Sequence, residues 1–250
     1  MTDALRTTGL TKSFGSLKVT QAVDFALPTG SRHALIGPNG AGKTTFINLL
    51  TGTLAPSAGR IELLGEDITR MRPDQRVKHG LVRTFQINSL FPRLTPHQSV
   101  TLAVCERLGL TSRWFKRTGS YTAATDEASA ILKQMRLSAV AHRPTSMLPY
   151  GQQRILEVAI SLALRPRVLL LDEPAAGIPS SESAELFEVI SELSDEISLL
   201  FIEHDMGLVF RFATRITVLV AGAVMAEGTP AEIAENPDVK TVYLGKGVHR

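Results

Sequence analysis

Short apolar runs and amphipathic stripes alternate along the chain, with glycine and proline marking most of the joins. Residues 5–11 read as one strand and 19–27 as another, the second through the alternation of Val23, Phe25 and Leu27 before the turn Pro28-Thr29-Gly30. Phe14 falls in the turn between them. Residues 32–36 are short and apolar enough for a buried strand. Phe46, Ile47, Leu49 and Leu50 then recur at helical spacing, and Gly52 offers a stop. A turn at 56–59 precedes a strand at 60–64. A short helix over 73–79 closes at Gly80, and 81–85 is a buried strand ending at Gln86.

The pattern changes at residue 87. Up to about 165 there are loops and helices and no convincing strand. Thr95-Pro96-His97-Gln98 is a capping box with proline at the first helical position, and that helix ends at Gly109. Residues 110–122 read as a surface insertion in which Arg113, Lys116 and Arg117 are solvated. Ala128, Ile131, Leu132 and Met135 mark an amphipathic helix, and an apolar helix over 155–164 stops before Pro166. From 167 onward strand and helix alternate again: strands at 168–171, 198–202, 216–220 and 224–226, a helix striped by Leu186, Phe187, Ile190 and Leu193, another over 206–212, and a final one capped by Thr229. This predicts an α/β core interrupted by a helical insert, one domain over 1–250 with its core in 1–86 and 167–250 and its insert in 87–166.

Composition narrows the picture only a little. The chain's 250 residues can bury a substantial core, and with 44% hydrophobic residues and 20% charged it reads as an ordinary globular protein. A net charge of +3 without any dense Lys/Arg block gives no support for nucleic-acid binding. Cys105 is the single cysteine, which excludes an internal disulfide and fits a reducing compartment. The N-terminus lacks the order of a signal peptide, and no apolar run approaches the roughly 18 residues a bilayer span needs. Work at a membrane would go through a partner.

The chemistry begins at Gly37-Pro38-Asn39-Gly40-Ala41-Gly42-Lys43-Thr44, which fits G-x-x-x-x-G-K-[ST] between a strand and a helix. Glycines there let backbone N–H groups close around phosphates at a helix N-terminus, where the dipole favours anions. Lys43 would reach the β- and γ-phosphates, the Thr44 hydroxyl would ligate Mg²⁺, and Thr45 completes the cradle. The run 168–171 ends in Asp172-Glu173-Pro174. In an open parallel sheet ligands lie beyond the strand C-termini, so Asp172 would emerge next to the loop to hold Mg²⁺, and Glu173 would face the attacking water. Lys43 and Asp172 are too far apart for one βαβ unit of about 30 residues, and the insert fills the gap. Leu148-Pro149-Tyr150-Gly151-Gln152-Gln153 is a second glycine-bearing turn into a helix, hence a second possible anion site. His204 follows a strand and is expected on the same sheet edge as Asp172.

Loop, Gln86, the 148–153 turn, Asp172-Glu173 and His204, in this order, resemble the ATP-binding cassette ATPases over essentially the whole chain. The resemblance implies a P-loop NTPase with a RecA-like core, an antiparallel β subdomain and an inserted helical subdomain, hydrolysing ATP with Mg²⁺. It implies that Phe14 stacks on adenine and that Gln86 touches Mg²⁺ and water and relays motion to a membrane partner. Gly151 and Gln152 would touch the γ-phosphate bound to a second ATP-binding subunit, and His204 would be the switch histidine. Thr84-Phe85-Gln86-Ile87, Tyr150-Gly151-Gln152-Gln153-Arg154, Asp172 through Ile178 and the tail 227–245 are similar to the G-type ATP-binding subunits of importers for branched-chain and other hydrophobic amino acids, urea and short amides. That implies transmembrane permease subunits, an indirect periplasmic binding protein, and a place on the cytoplasmic face of the bacterial inner membrane. Pro149 stands where the family has a serine, and Pro179 where it has an aspartate. Two other readings fit the motifs: a soluble cassette working on a non-membrane assembly, and an ATP-dependent clamp that hydrolyses weakly.

Overall fold

The computed structural model describes residues 3–84, 90–110 and 121–244. Phe85, Gln86 and most of the 110–122 insertion lie outside the described residues. The chain forms two compact units, Met1–Leu81 with Arg167–Glu173 and Ser194–Arg250, and Val82–Pro166 with Pro174–Leu193.

The first unit carries two sheets, apart from Val82 and Arg83, which end one strand of the second sheet and are counted with the other unit. An antiparallel one has the order β2-β1-β4-β5, from β1 (Asp3–Phe14), β2 (Leu17–Pro28), β4 (Ala58–Leu63) and β5 (Glu66–Asp67). The other has the order β10-β9-β3-β8-β7-β6, from β3 (Arg32–Ile36), β6 (Leu81–Arg83), β7 (Val168–Asp172), β8 (Ser198–Ile202), β9 (Arg215–Val220) and β10 (Ala223–Gly228). β3, β7, β8 and β9 pair in parallel, while β10 returns antiparallel on β9. Every residue of β3, β7 and β8 is buried, as expected of strands covered on both faces. Helix α1 (Lys43–Thr51) puts Phe46, Ile47, Leu49 and Leu50 into one core with Leu5, Phe25 and Ile61 of the first sheet and Leu35, Leu170 and Leu200 of the second.

Two buried polar groups brace this core. Arg76, in α2 (Pro73–Lys78), is almost fully buried, and its guanidinium donates to the carbonyls of Leu49, Leu50, Thr69 and Met71. His33 of β3 is buried with Nε2 2.7 Å from the Thr217 hydroxyl and its ring 4.9 Å from that of Phe25. Burial, aided by the Arg215 charge, lowers its pKa from 6.5 to about 3. Below the ordinary value the unfolded chain takes up a proton that the folded chain refuses, so stability is fully present above that value and falls as pH drops towards the folded one. At about pH 5 the loss from this group is about 2 kcal/mol. Urea midpoints should therefore fall more steeply with acid in the wild type than in His33→Leu, and parallel curves would exclude His33 as the cause.

In the second unit α3 (Pro96–Arg107) and α4 (Thr122–Gln134) pack on each other and on α5 (Tyr150–Leu162), with α6 (Ser180–Ser191) also against α5. The Thr95 box forms as expected: its hydroxyl accepts from the Gln98 backbone N–H, and the Gln98 side-chain Oε1 accepts from the Thr95 N–H at 2.9 Å. The remaining helices, α7 (Met206–Phe212), α8 (Pro230–Glu235) and α9 (Pro237–Leu244), belong to the first unit.

Several boundaries differ from the sequence reading. Phe14 is the last residue of β1 and not a turn residue, because the β1–β2 pairing continues to Phe14 opposite Leu17. β4 begins at Ala58, inside the expected turn. α5 begins at Tyr150, so the 148–153 turn is mostly helix. The tail holds two helices where one was expected, separated at Asn236, whose carboxamide oxygen accepts from the N–H groups of Asp238 and Val239.

Candidate functional site

Register aligns the chemistry. Leu35 of β3 pairs with Ile202 of β8, and Ile202 pairs with Asp172 of β7, so three strand ends finish in one row. Beyond that row come the glycine loop, Glu203-His204 and Glu173. Asp172 is thus on the loop's sheet edge but one strand away, because β8 lies between β3 and β7.

The loop is shaped by close backbone approach. A β-carbon on Gly37 would lie 2.1 Å from the Leu219 carbonyl oxygen, and one on Gly42, at φ 97, would lie 2.7 Å from the Val19 carbonyl oxygen. Only glycine fits where β9 and β2 press in from either side. Gly42 is the N-cap of α1, no side chain caps that helix, and its first turn holds no carboxylate. The N–H groups of that turn therefore present an uncompensated positive end. Asn39, Gly40 and Thr44 are exposed, whereas Lys43 is only 7% exposed. Its ammonium donates to the carbonyls of Gly37 (2.7 Å) and Pro38 (3.1 Å). Burial lowers the Lys43 pKa, and the charges of Glu173 and Asp172 act in the opposite direction, which puts all three groups in one electrostatic neighbourhood.

Glu173 has a left-handed backbone, φ 49, which costs a non-glycine residue about 1 kcal/mol. Its N–H donates to the Ile202 carbonyl at 3.0 Å, and this turn brings its Oε1 to 2.9 Å from His204 Nε2. Both side chains are partly exposed, whereas Asp172 is 3% exposed. Asp205 next holds the start of α7 by accepting from the Gly207 and Leu208 N–H groups, which fixes the chain on the far side of His204. The arrangement can bind polyphosphate at α1, and it can orient water and take up its proton at the Glu173–His204 pair.

In the second unit Pro149 is the N-cap of α5 and Pro179 the N-cap of α6, where a fixed φ is tolerated but no hydroxyl is available. The Gly151 N–H finds its acceptor elsewhere, in Glu182 Oε2 of α6 at 3.0 Å. Tyr150 turns its hydroxyl to Arg154, which donates at 2.8 Å and also pairs with Glu157.

Residues 20–176 match the family model described as ABC transporter, and residues 223–249 match that described as branched-chain amino acid ATP-binding cassette transporter. The chain belongs to the ABC transporter family. It is 39% identical to the high-affinity branched-chain amino acid transport ATP-binding protein BraF of Pseudomonas aeruginosa, over 97% of this chain and 98% of that one. It is 40% identical to the corresponding protein LivG of Escherichia coli K12, with the same coverage. The crystal structure of the ADP conformation of MJ1267, an ATP-binding cassette of an ABC transporter, superposes with a TM-score of 0.86 at 28% identity, covering 98% of this chain and 100% of the other. As an ABC cassette the chain binds ATP and hydrolyses it to energise transport, and its partners are membrane permease subunits. No helix among the described residues is long and apolar enough to cross a membrane.

The structure brings Gly37 through Thr45, Lys43, Asp172, Glu173 and His204 to one edge of one unit, while Gly151 and Gln152 belong to the other unit. Phe14, 51% exposed, ends the β1 strand of a hairpin whose Val19 touches the loop at Gly42, and Lys12 Nζ lies 5.1 Å from its ring centroid. Gln86 lies outside the described residues. No cluster of three or more His, Cys, Asp or Glu able to hold a metal occurs among the described residues. The Thr44 hydroxyl of the loop and the Asp172 carboxylate on the same sheet edge are oxygen donors that suit a hard cation taking its remaining ligands from phosphate and water. Sequence reasoning missed Arg76 and Glu182. The helix that carries Arg76 was legible over 73–79, but its contacts with the Leu49 and Leu50 carbonyls, like that of Glu182 with the Gly151 N–H, join residues far apart in sequence.

Proposed function

We propose that this chain powers uptake of branched-chain amino acids. The reading is carried by 39–40% identity, over nearly the full length of both chains, to high-affinity branched-chain amino acid transport ATP-binding proteins. In it the chain sits on the cytoplasmic face of the membrane, pairs with a second ATP-binding subunit, docks on permease subunits near Gln86, and answers indirectly to a periplasmic binding protein. Residues 1–86 and 167–250 are assigned to the nucleotide-binding core and 87–166 to the helical subdomain, against which α6 within Pro174–Leu193 also packs.

The roles follow from chemistry. Phe14 stacks on adenine, and the backbone from Gly37 to Thr45 cradles the phosphates. Lys43 turns from its loop carbonyls to the β- and γ-phosphates. The Thr44 hydroxyl and the Asp172 carboxylate, with Gln86, would hold Mg²⁺, which supplies charge neutralisation at the phosphates. Glu173, steered by His204, orients a water whose oxygen attacks the γ-phosphorus as the bond to the β,γ-bridging oxygen breaks. The water proton passes to the Glu173 carboxylate. Charge left on ADP falls to Lys43 and the α1 N-terminus. Gly151 and Gln152 face the γ-phosphate held by the other subunit.

Cells lacking this chain should lose high-affinity uptake of leucine, isoleucine and valine, and regain it when the chain is supplied. Unchanged uptake would overturn the substrate assignment.

A further inference from the structure

The N-terminus of α5 already holds an anion of the protein's own. Pro149 supplies no capping side chain, and the Gly151 N–H donates to Glu182 Oε2 at 3.0 Å. The fit is tight: a β-carbon on Gly151 would lie 2.5 Å from that oxygen and 3.2 Å from Glu182 Cβ. Around the contact is a cavity of about 200 Å³ lined by Pro149, Gly151, Gln152, Ile155, Glu182 and Glu185. Gln152 Oε1 is buried there without a hydrogen-bond partner. So two carboxylates, Glu182 and Glu185, line the cavity at the helix end that the proposed function turns towards the γ-phosphate of the second subunit.

We infer that Glu182 is an internal gate on this anion site: its carboxylate caps α5 in the open subunit and must give up the Gly151 N–H when the γ-phosphate held by the second subunit arrives. The inference rests on the proposed role of Gly151 and Gln152, and adds that phosphate and carboxylate compete for one donor. An uncapped α5 would leave its first N–H groups and the positive dipole end unmatched, so a nearby carboxylate stabilises the isolated subunit. The same charge opposes a phosphate within a few ångströms. Glu182 therefore stabilises the open subunit at the expense of the closed pair, and sets the ATP concentration at which the pair closes. A serine hydroxyl at position 149 would carry no charge to displace. Glu182 is a positioning residue that acts through the α5 N-terminus.

A structural tie and a gate predict opposite signs. In the transporter complex purified from membranes through a tag on this chain, Glu182→Gln keeps the shape and an acceptor oxygen but removes the charge. The gate predicts that its KM for ATP falls at least threefold while kcat changes less than twofold, with thermal stability equal to or below wild type. Glu182→Ala should shift KM in the same direction, and Glu182→Asp should return it towards wild type. An unchanged or raised KM in Glu182→Gln, or a drop in kcat alone, overturns the gate. Gln152→Glu, which adds a fixed anion at the same helix end, reads the underlying role: it should raise KM at least threefold. If it does so while Glu182→Gln has no effect, the gate fails and the role of the α5 turn stands. If neither moves KM, both fall.

Discussion

Glu173→Gln should bind ATP as tightly as wild type, within about twofold, while kcat for ATP hydrolysis drops by about 100-fold or more, the range expected for losing a positioned general base. The amide keeps the volume and can still accept from His204 Nε2, now 2.9 Å from the carboxylate, so the left-handed turn at φ 49 has no reason to relax. What is lost is the basic oxygen, and with it somewhere to put the water proton. A 100-fold loss corresponds to about 3 kcal/mol of transition-state stabilisation. In the proposed mechanism nucleotide binding rests on the Gly37–Thr45 loop and Lys43; the substitution leaves these residues in place and removes only the Glu173 charge from the neighbourhood of Lys43. Rapid-quench measurement of phosphate release beside equilibrium ATP binding checks both halves, and undiminished turnover would remove Glu173 as the base.

The second large effect concerns folding. Arg76→Leu should cost about 3–5 kcal/mol of stability, the range for stripping a buried charged donor from several acceptors. The guanidinium reaches carbonyls at the end of α1 (Leu49 and Leu50) and in the segment after β5 (Thr69 and Met71). No carboxylate pairs with it in these contacts, and burial lowers its pKa to about 10, which still leaves it charged at neutral pH. Its work is to satisfy the carbonyl end of the helix whose other end carries the phosphate loop. Leucine fills the space and satisfies none of them. Lysine should recover less than half of the loss, because a compact ammonium cannot span four carbonyls. Urea unfolding curves decide the matter, and a midpoint within experimental error of wild type would contradict this role.

Elements were legible wherever the signal was local. The Thr95 box, the buried runs of β3 and β7, and the Gly52 stop all depend on residues within one turn or one strand. Boundaries were lost where a distant partner decides them. α5 reaches back to Tyr150 although Pro149 and Gly151 look like loop, since the acceptor for its first turn comes from Glu182 on another helix. β1 runs on to Phe14 because β2 pairs with it to the end, not because of its own alternation. At the site, residue types and order were readable from the glycine loop and the two strand ends. That β8 would lie between β3 and β7, and so carry His204 to Glu173, was not, because strand order is a property of the whole sheet.

The central claim is that hydrolysis on the β3–β8–β7 edge drives import. Its most direct test is the complex purified through this chain, reconstituted in vesicles with ATP and leucine-loaded binding protein, with hydrolysis and leucine accumulation recorded together. Wild type should show both, and Glu173→Gln should show neither while still retaining ATP. Leucine accumulation that continues with Glu173→Gln, or wild-type hydrolysis without any accumulation, would contradict the account.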